Sequence, residues 1–364
     1  MPCPTRILVL SVPVGEGHVA AARVLADRMR ALWPTARVRE VESAGRGRDR
    51  LLRVSYAVTM RLAPRLYGLG YDVLVRYPRS AALFKRISAA RVGRTLDPLV
   101  AAEAPDLVLS THPMPSGGLA WLRQQGRLPG RAVAVVTDVA VHPFWVWPEL
   151  DETWTLLPAS RDQARAIAPG ARVLVAPPAV ERAFRPGDRD SARATCGLRR
   201  DAAVVLVTGG SLAFGRLGRV VDAVLAAGDA VQAVVLCGRN ARLRARLRAR
   251  GLPESRLIVH GWTDQVPELV TAADVVLTTA GGMIATEALA AGRPVLFATP
   301  VPGHGRAGAD MMAAAGLAQI CRHPSDVTAA VRAFVARPTP LAVQAGFGGD
   351  LDAALRQLGG SRER

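Results

Sequence analysis

The stretch Thr278–Pro302, TTAGGMIATEALAAGRPVLFATPVP, joins the end of an apolar strand, a glycine pair, a helix start and a carboxylate at fixed offsets. VVLTT (Val275–Thr279) reads as a buried parallel strand. Gly281 and Gly282 allow a ligand to approach the backbone closely, and Met283, Ile284 and the residues up to Glu287 supply the first turn of the next helix. Exposed N–H groups at such a start attract phosphate. Glu287, one turn further in, is placed to accept hydrogen bonds from the two hydroxyls of a ribose. An ordinary strand–turn–helix with a solvated glutamate has the same pattern, because glycine pairs are common at these turns.

The flanking sequence favours the ligand reading. GWTDQVPELVTAADVVL (Gly261–Leu277) gives an aromatic turn, a short helix and the strand that leads into the glycine pair. The backbone around Trp262 is positioned to read the edge of a base. Upstream, VVLVTGGS (Val204–Ser211) is a second apolar strand that ends in Gly209, Gly210 and Ser211, where a helix start and a second phosphate contact are expected.

The C-terminal half resembles the donor domain of glycosyltransferase family 28. The N-terminal half is similar to the monogalactosyldiacylglycerol synthase and processive diacylglycerol glucosyltransferase group, through SVPVGEGHVAAARVL (Ser11–Leu25), SYAVTMRLAPRLYGLGY (Ser55–Tyr71), STHPMPSG (Ser110–Gly117) and TDVAVHPFWVWPELDETWTLLPASRDQA (Thr137–Ala164). The resemblance implies a GT-B fold, α/β with two Rossmann-like domains facing across a cleft. It also implies inverting transfer of a sugar from a UDP-sugar to a lipid hydroxyl, diacylglycerol first among the acceptors, with no metal and no cofactor beyond the UDP-sugar co-substrate. A polyprenyl-linked or small-molecule acceptor is the rival within the same chemistry. A lipid or nucleotide-sugar binding protein without turnover is the rival outside it.

The sequence departs from the family in the donor half. A Lys-Pro pair usually precedes the glycines, where this chain has Thr279-Ala280, and Gln-Glu usually follows Pro-Gly, where this chain reads PGHGRAGAD. His304 stands for the glutamine as a contact to sugar hydroxyls, while Gly305 removes the acidic group. Glucose, galactose, N-acetylglucosamine and glucuronic acid all stay open as the donated sugar.

For proton transfer the residue of choice is His18, which follows Gly15-Glu16-Gly17 at the end of the first strand, where open α/β sheets place ligands. A neutral imidazole there can take the proton of an acceptor hydroxyl, although a histidine that simply packs the loop fits too. The resemblance puts the histidine of this glycine loop, with Gly17 beside it, on the acceptor side as a catalytic candidate. Asp138, after the strand AVAVVT, either lines the acceptor pocket or closes its loop; His112 and His142 read as backbone-bonded loop residues. Asp188-Arg189-Asp190 spells a DxD but sits in a charged linker with no strand before it, so it is set aside as a metal site. Cys3, Cys196, Cys237 and Cys321 have neither metal-type nor disulfide-framework spacing.

Charge is concentrated. Between Arg46 and Arg94 twelve basic residues face two acidic ones, Asp49 and Asp72, which places most of the formal +17 in one segment. Leucines, Phe84 and the tyrosines Tyr56, Tyr67 and Tyr71 are interleaved with the arginines. Basic and apolar faces on helices fit contact with an anionic membrane surface, with Arg46, Arg48, Arg50, Arg53 and Tyr67 as contact candidates. A solvated basic face is the alternative. Nucleic acid is not expected, because no recognised binding module is present and aromatics make up only 5% of the chain.

At 364 residues, half of them hydrophobic, the chain is long enough for two cored domains. The expected division is residues 1–178 for acceptor and membrane, 179–340 for the donor, and a helix within 341–364 that packs back on the first part. No run of eighteen apolar residues occurs, and the N-terminus enters the strand RILVLSV directly, so a cytoplasmic protein peripheral to the inner face of the membrane is expected.

Overall fold

The computed structural model describes residues 3–42, 48–280, 282–336 and 349–359; the side chains of 48–53, 61 and 78–80 are excepted. The chain divides into two compact units, Met1–Val180 with Gly348–Arg364, and Glu181–Phe347.

The first unit is built on six parallel strands in the order β2-β1-β3-β4-β5-β6. They are β1 (Arg6–Ser11), β2 (Arg37–Glu42), β3 (Leu107–Ser110), β4 (Arg131–Val135), β5 (Glu152–Thr155) and β6 (Val173–Val175). Around them run α1 (Glu16–Leu32), α2 (Arg48–Leu62), α3 (Pro64–Arg76), α4 (Pro78–Glu103), α5 (Pro113–Gln124) and α6 (Pro158–Ile167). Central strands such as LVLS of β3 are buried on both faces, as a parallel sheet covered by helices requires.

Glycine permits one close helix contact. A Cβ on Gly118 of α5 would lie 2.8 Å from Val92 and 3.1 Å from the backbone of Gly93, both in α4, so these two helices touch nearly backbone to backbone. At the far end of the chain α14 (Leu351–Gly359) returns to this unit: Asp352 pairs with Arg28 of α1 at 3.2 Å, and the Leu358 carbonyl accepts from Arg131 at 3.1 Å.

The second unit has six parallel strands in the order β12-β11-β10-β7-β8-β9. They are β7 (Ala203–Thr208), β8 (Val231–Leu236), β9 (Leu257–His260), β10 (Val275–Thr278), β11 (Val295–Ala298) and β12 (Gln319–Cys321). The strand order reverses between β7 and β10, the switch point at which doubly wound sheets hold ligands. The helices are α7 (Arg189–Cys196), α8 (Leu217–Leu225), α9 (Ala241–Arg248), α10 (Val266–Ala272), α11 (Gly282–Ala290), α12 (His304–Ala314) and α13 (Pro324–Ala336).

A buried ion pair ties α7 to this sheet. Arg193, 1% exposed, donates to the carboxylate of Asp274 and to the carbonyls of Ala272, Arg200 and Ala202. Asp274 also accepts from the Val204 amide at 2.7 Å and from Arg189 at 2.7 Å, so each member of the pair is held by several hydrogen bonds. Asp188, the first residue of the DxD, caps α7 by accepting from the Ser191 amide.

One local expectation fails. No helix starts at Ser211; α8 begins at Leu217. Gly210, Ala213 and Gly215 all have positive φ, so the chain makes a tight irregular loop before it can enter helical geometry. Any phosphate contact at Gly210-Ser211 is therefore with loop backbone rather than with a helix dipole.

Candidate active site

Two groups of polar residues gather at the carboxyl ends of the strands, one in each unit. In the first, His18 sits in the first turn of α1, behind Gly15, whose φ of 87° turns the chain out of β1, and beside Gly17. The His18 Nδ1 lies 2.8 Å from the Thr111 carbonyl oxygen and 2.8 Å from the Thr137 hydroxyl. A carbonyl only accepts, so Nδ1 carries the proton and Nε2 carries the lone pair. Thr111 returns the contact by donating its hydroxyl to the His18 carbonyl at 2.8 Å. Loops after β1, β3 and β4 thus converge on one imidazole.

His112 stacks edge-on against His18 with ring centroids 4.7 Å apart. Its Nδ1 accepts from the Met114 amide and caps α5, and burial holds its pKa well below the ordinary range, with His18 and His142 adding to the effect. It is a neutral helix cap. Trp145, fully buried, has its ring 6.0 Å from His18 and donates its indole N–H to Asp138 at 2.8 Å. His142 Nε2 is 4.0 Å from the same carboxylate.

Tyrosines from α2 and α3 complete the group. Tyr67 and Tyr71 stand one turn apart on α3; the Tyr67 ring meets Tyr56 of α2 at 5.8 Å, and the Tyr71 ring meets His142 at 6.0 Å. Burial, then the Asp138 charge, pushes the Tyr67 phenol up to about 12. Burial is also the main cause of the upward shifts of Tyr56 and Tyr71, and Asp138 contributes to both. Tyr67 is half-buried, with its ring against Tyr56.

In the second unit the loop Gly209–Ser211 lies against the loop after β10. A Cβ on Gly210 would be 3.3 Å from that of Ala280, and the Thr279 hydroxyl donates to the Phe214 carbonyl at 2.6 Å. Gly282, Met283 and Ile284 form the half-buried first turn of α11. Glu287 follows on the same helix. Burial, then the nearby Glu181, pushes its carboxyl up to about 8. His304 opens α12 behind Gly303, whose φ is 80°. Trp262, half exposed at the end of β9, is covered by the Arg239 guanidinium at 4.0 Å. Arg239 follows β8, and its amide donates to the Ser211 carbonyl at 2.8 Å, which joins a third loop to the group.

Gly281 and Arg46 lie outside the described residues, as do the side chains of Arg48, Arg50 and Arg53. Among the described residues no three His, Cys, Asp or Glu side chains gather as a metal would require. Sequence reasoning missed Thr111, Thr137, Trp145 and Arg239. For Arg239 the signal was present in Cys237-Gly238-Arg239-Asn240, a glycine turn directly after an apolar strand.

Two doubly wound units, each with its polar loops at the carboxyl edge of a parallel sheet, define the GT-B fold. The chain belongs to glycosyltransferase family 28: residues 18–168 match the monogalactosyldiacylglycerol (MGDG) synthase family, and residues 204–342 match the glycosyltransferase family 28 C-terminal domain. Among curated proteins it is 25% identical to a processive diacylglycerol beta-glucosyltransferase of Bacillus licheniformis, over 91% of this chain and 86% of that protein. It is 24% identical to the enzyme of the same name from Bacillus subtilis, over 91% and 87%. Two solved structures share the fold: MurG of Acinetobacter baumannii (TM-score 0.61, 14% identity, 97% of this chain and 99% of that one) and HepE of Anabaena in complex with UDP (TM-score 0.54, 15% identity, 98% and 96%).

Proposed function

We propose that this protein transfers a sugar from a UDP-sugar to the hydroxyl of a membrane lipid, diacylglycerol in the first instance, with inversion at the anomeric carbon and without a metal. The observation that carries the chemistry is the anchored imidazole of His18. With Nδ1–H held by the Thr111 carbonyl, Nε2 takes the proton of the acceptor hydroxyl as its oxygen bonds to the anomeric carbon. The bond from that carbon to the diphosphate breaks, and UDP leaves with the electron pair. The Thr111 carbonyl then stabilises the imidazolium.

In this reading the second unit holds the donor. The first turn of α11 and the Gly210-Ser211 backbone receive the diphosphate, Glu287 the ribose, the segment around Trp262 the base, and His304 the sugar. The names of the curated relatives supply the lipid acceptor.

The surface of α2, α3 and α4 supports membrane contact. Val54, Val58 and Leu62 on α2 and Leu66, Leu69 and Val73 on α3 form stripes at helical spacing that are exposed rather than packed. Arg65 on α3 and Arg86 on α4 are exposed as well. Lipids of the inner, cytoplasmic leaflet are the expected surface. No helix among the described residues is long and apolar enough to cross a membrane. The test is incubation with a panel of UDP-sugars and dispersed lipids, with products weighed by mass spectrometry. Glycosylated diacylglycerol and released UDP are expected; UDP-sugar binding with no product from any lipid overturns the reading.

A further inference from the structure

Among the described residues, Tyr71 carries a hydroxyl with no hydrogen-bond partner, although its oxygen is buried. A buried polar atom without a partner is costly, and native structures rarely keep one without a use. The position of this one is informative. Tyr71 is one turn beyond Tyr67 on the inner face of α3, with its ring edge on His142, while the exposed stripe Leu66, Leu69 and Val73 occupies the outer face. His142 lies beside Asp138, Asp138 receives the Trp145 indole, and the Trp145 ring neighbours His18. The unbonded phenol thus belongs to the cluster that contains the proposed base, on the helix whose other face exposes Leu66, Leu69 and Val73.

We propose that Tyr71 binds the acceptor, donating its phenolic hydrogen to an oxygen of the acceptor's glycerol-type head group and so holding the neighbouring hydroxyl for His18. This rests on the lipid-acceptor reading above and adds a residue to it. The phenol is kept protonated by burial and by Asp138, so it serves as a donor throughout the pH range of the reaction. Its missing partner is supplied by the ligand.

The full chain and Tyr71→Phe are compared with UDP-glucose as donor and 1,2-dioctanoylglycerol in mixed micelles as acceptor. Binding of the acceptor is followed by tryptophan fluorescence and transfer by UDP release. The phenylalanine variant is expected to need about 10-fold more acceptor for half-saturation, the loss of one neutral hydrogen bond. UDP affinity and melting temperature should hold or, for the latter, rise, because an unsatisfied buried hydroxyl has been removed. Unchanged acceptor half-saturation overturns the proposal. So does a fall in melting temperature together with lost UDP affinity, which marks a structural role. If the intact protein binds dioctanoylglycerol but transfers nothing, the transfer reading falls and the Tyr71 assignment is judged on binding alone. If the intact protein does not bind it at all, both fall.

Discussion

The His18 imidazole is tied through Nδ1 to the main-chain carbonyl of Thr111 at 2.8 Å, so its tautomer is set by backbone from a different strand end. A substitution of Thr111 leaves that carbonyl in place. The proton-accepting edge of His18 is therefore fixed by the sheet itself.

Replacing His18 by Ala should lower the turnover number by roughly 10²–10⁴-fold, the usual contribution of a positioned general base. UDP affinity, measured by calorimetry, should be unchanged because the residues proposed to hold the donor belong to the other unit. Turnover near the original rate in a folded variant removes His18 from the chemistry.

Glu287 predicts a pH dependence of donor binding. Its carboxyl is raised from 4.5 to about 8 by burial, then by Glu181, and so is largely protonated at neutral pH. A ribose that donates two hydroxyls favours the ionised form, so UDP affinity should rise with pH up to about 8 and then level, with proton release on binding below that point. Glu287→Ala should weaken UDP binding by about 1.5–3 kcal/mol, and Glu287→Gln should abolish the pH dependence. For stability the sign is opposite. A raised carboxyl contributes fully below its ordinary 4.5 and loses that contribution as pH climbs to about 8, so Glu287→Gln should flatten the decline in melting temperature over this window.

The Arg193–Asp274 pair predicts where the second unit is weakest to substitution. Asp274→Ala leaves a buried guanidinium without its counter-charge and should cost about 3–5 kcal/mol in urea unfolding. Asp274→Asn keeps the shape and should cost less. A change below about 0.5 kcal/mol, the range of an ordinary surface substitution, would show that the carbonyls around Arg193 suffice without the carboxylate.

Flotation with liposomes tests the apolar stripes of α2 and α3. Binding should be strong to phosphatidylglycerol-rich vesicles, weak to neutral ones and partly lost in high salt, since each arginine near an anionic surface contributes about 1 kcal/mol and salt screens it. Leu62→Ser with Leu66→Ser should remove the salt-resistant part, and Arg46, Arg48, Arg50 and Arg53 changed to Gln the anionic preference. Equal binding to both vesicles, or none, would make this a solvated face.

The parallel sheets were legible because β3, β7 and β10 are uninterrupted apolar runs that end in glycine or serine–threonine turns, a pattern that strand–helix alternation leaves little freedom to misread. His18 and Glu287 were legible as candidates for the same reason: each follows its strand at a fixed offset. The helix start misplaced at Ser211 shows the limit, because a Gly-Gly-Ser turn does not reveal how many residues of positive φ follow it. Thr111 and Thr137 were invisible because they reach His18 across 93 and 119 residues. Tyr56, Tyr67 and Tyr71 counted in the sequence as part of a membrane face. Only the rotation of α2 and α3 separates their stripe from the leucines and turns it towards Asp138.

Gly305 bears on how donor preference can change over time. A Cβ there would lie 2.5 Å from the Val301 side chain, so the position admits no side chain while Val301 keeps its place. A carboxylate at this point thus needs more than one exchange. A single exchange to glutamate collides before it can test a new sugar, and the loop must first give up Val301. An engineer who wants an acidic side chain at this loop has to change both residues together.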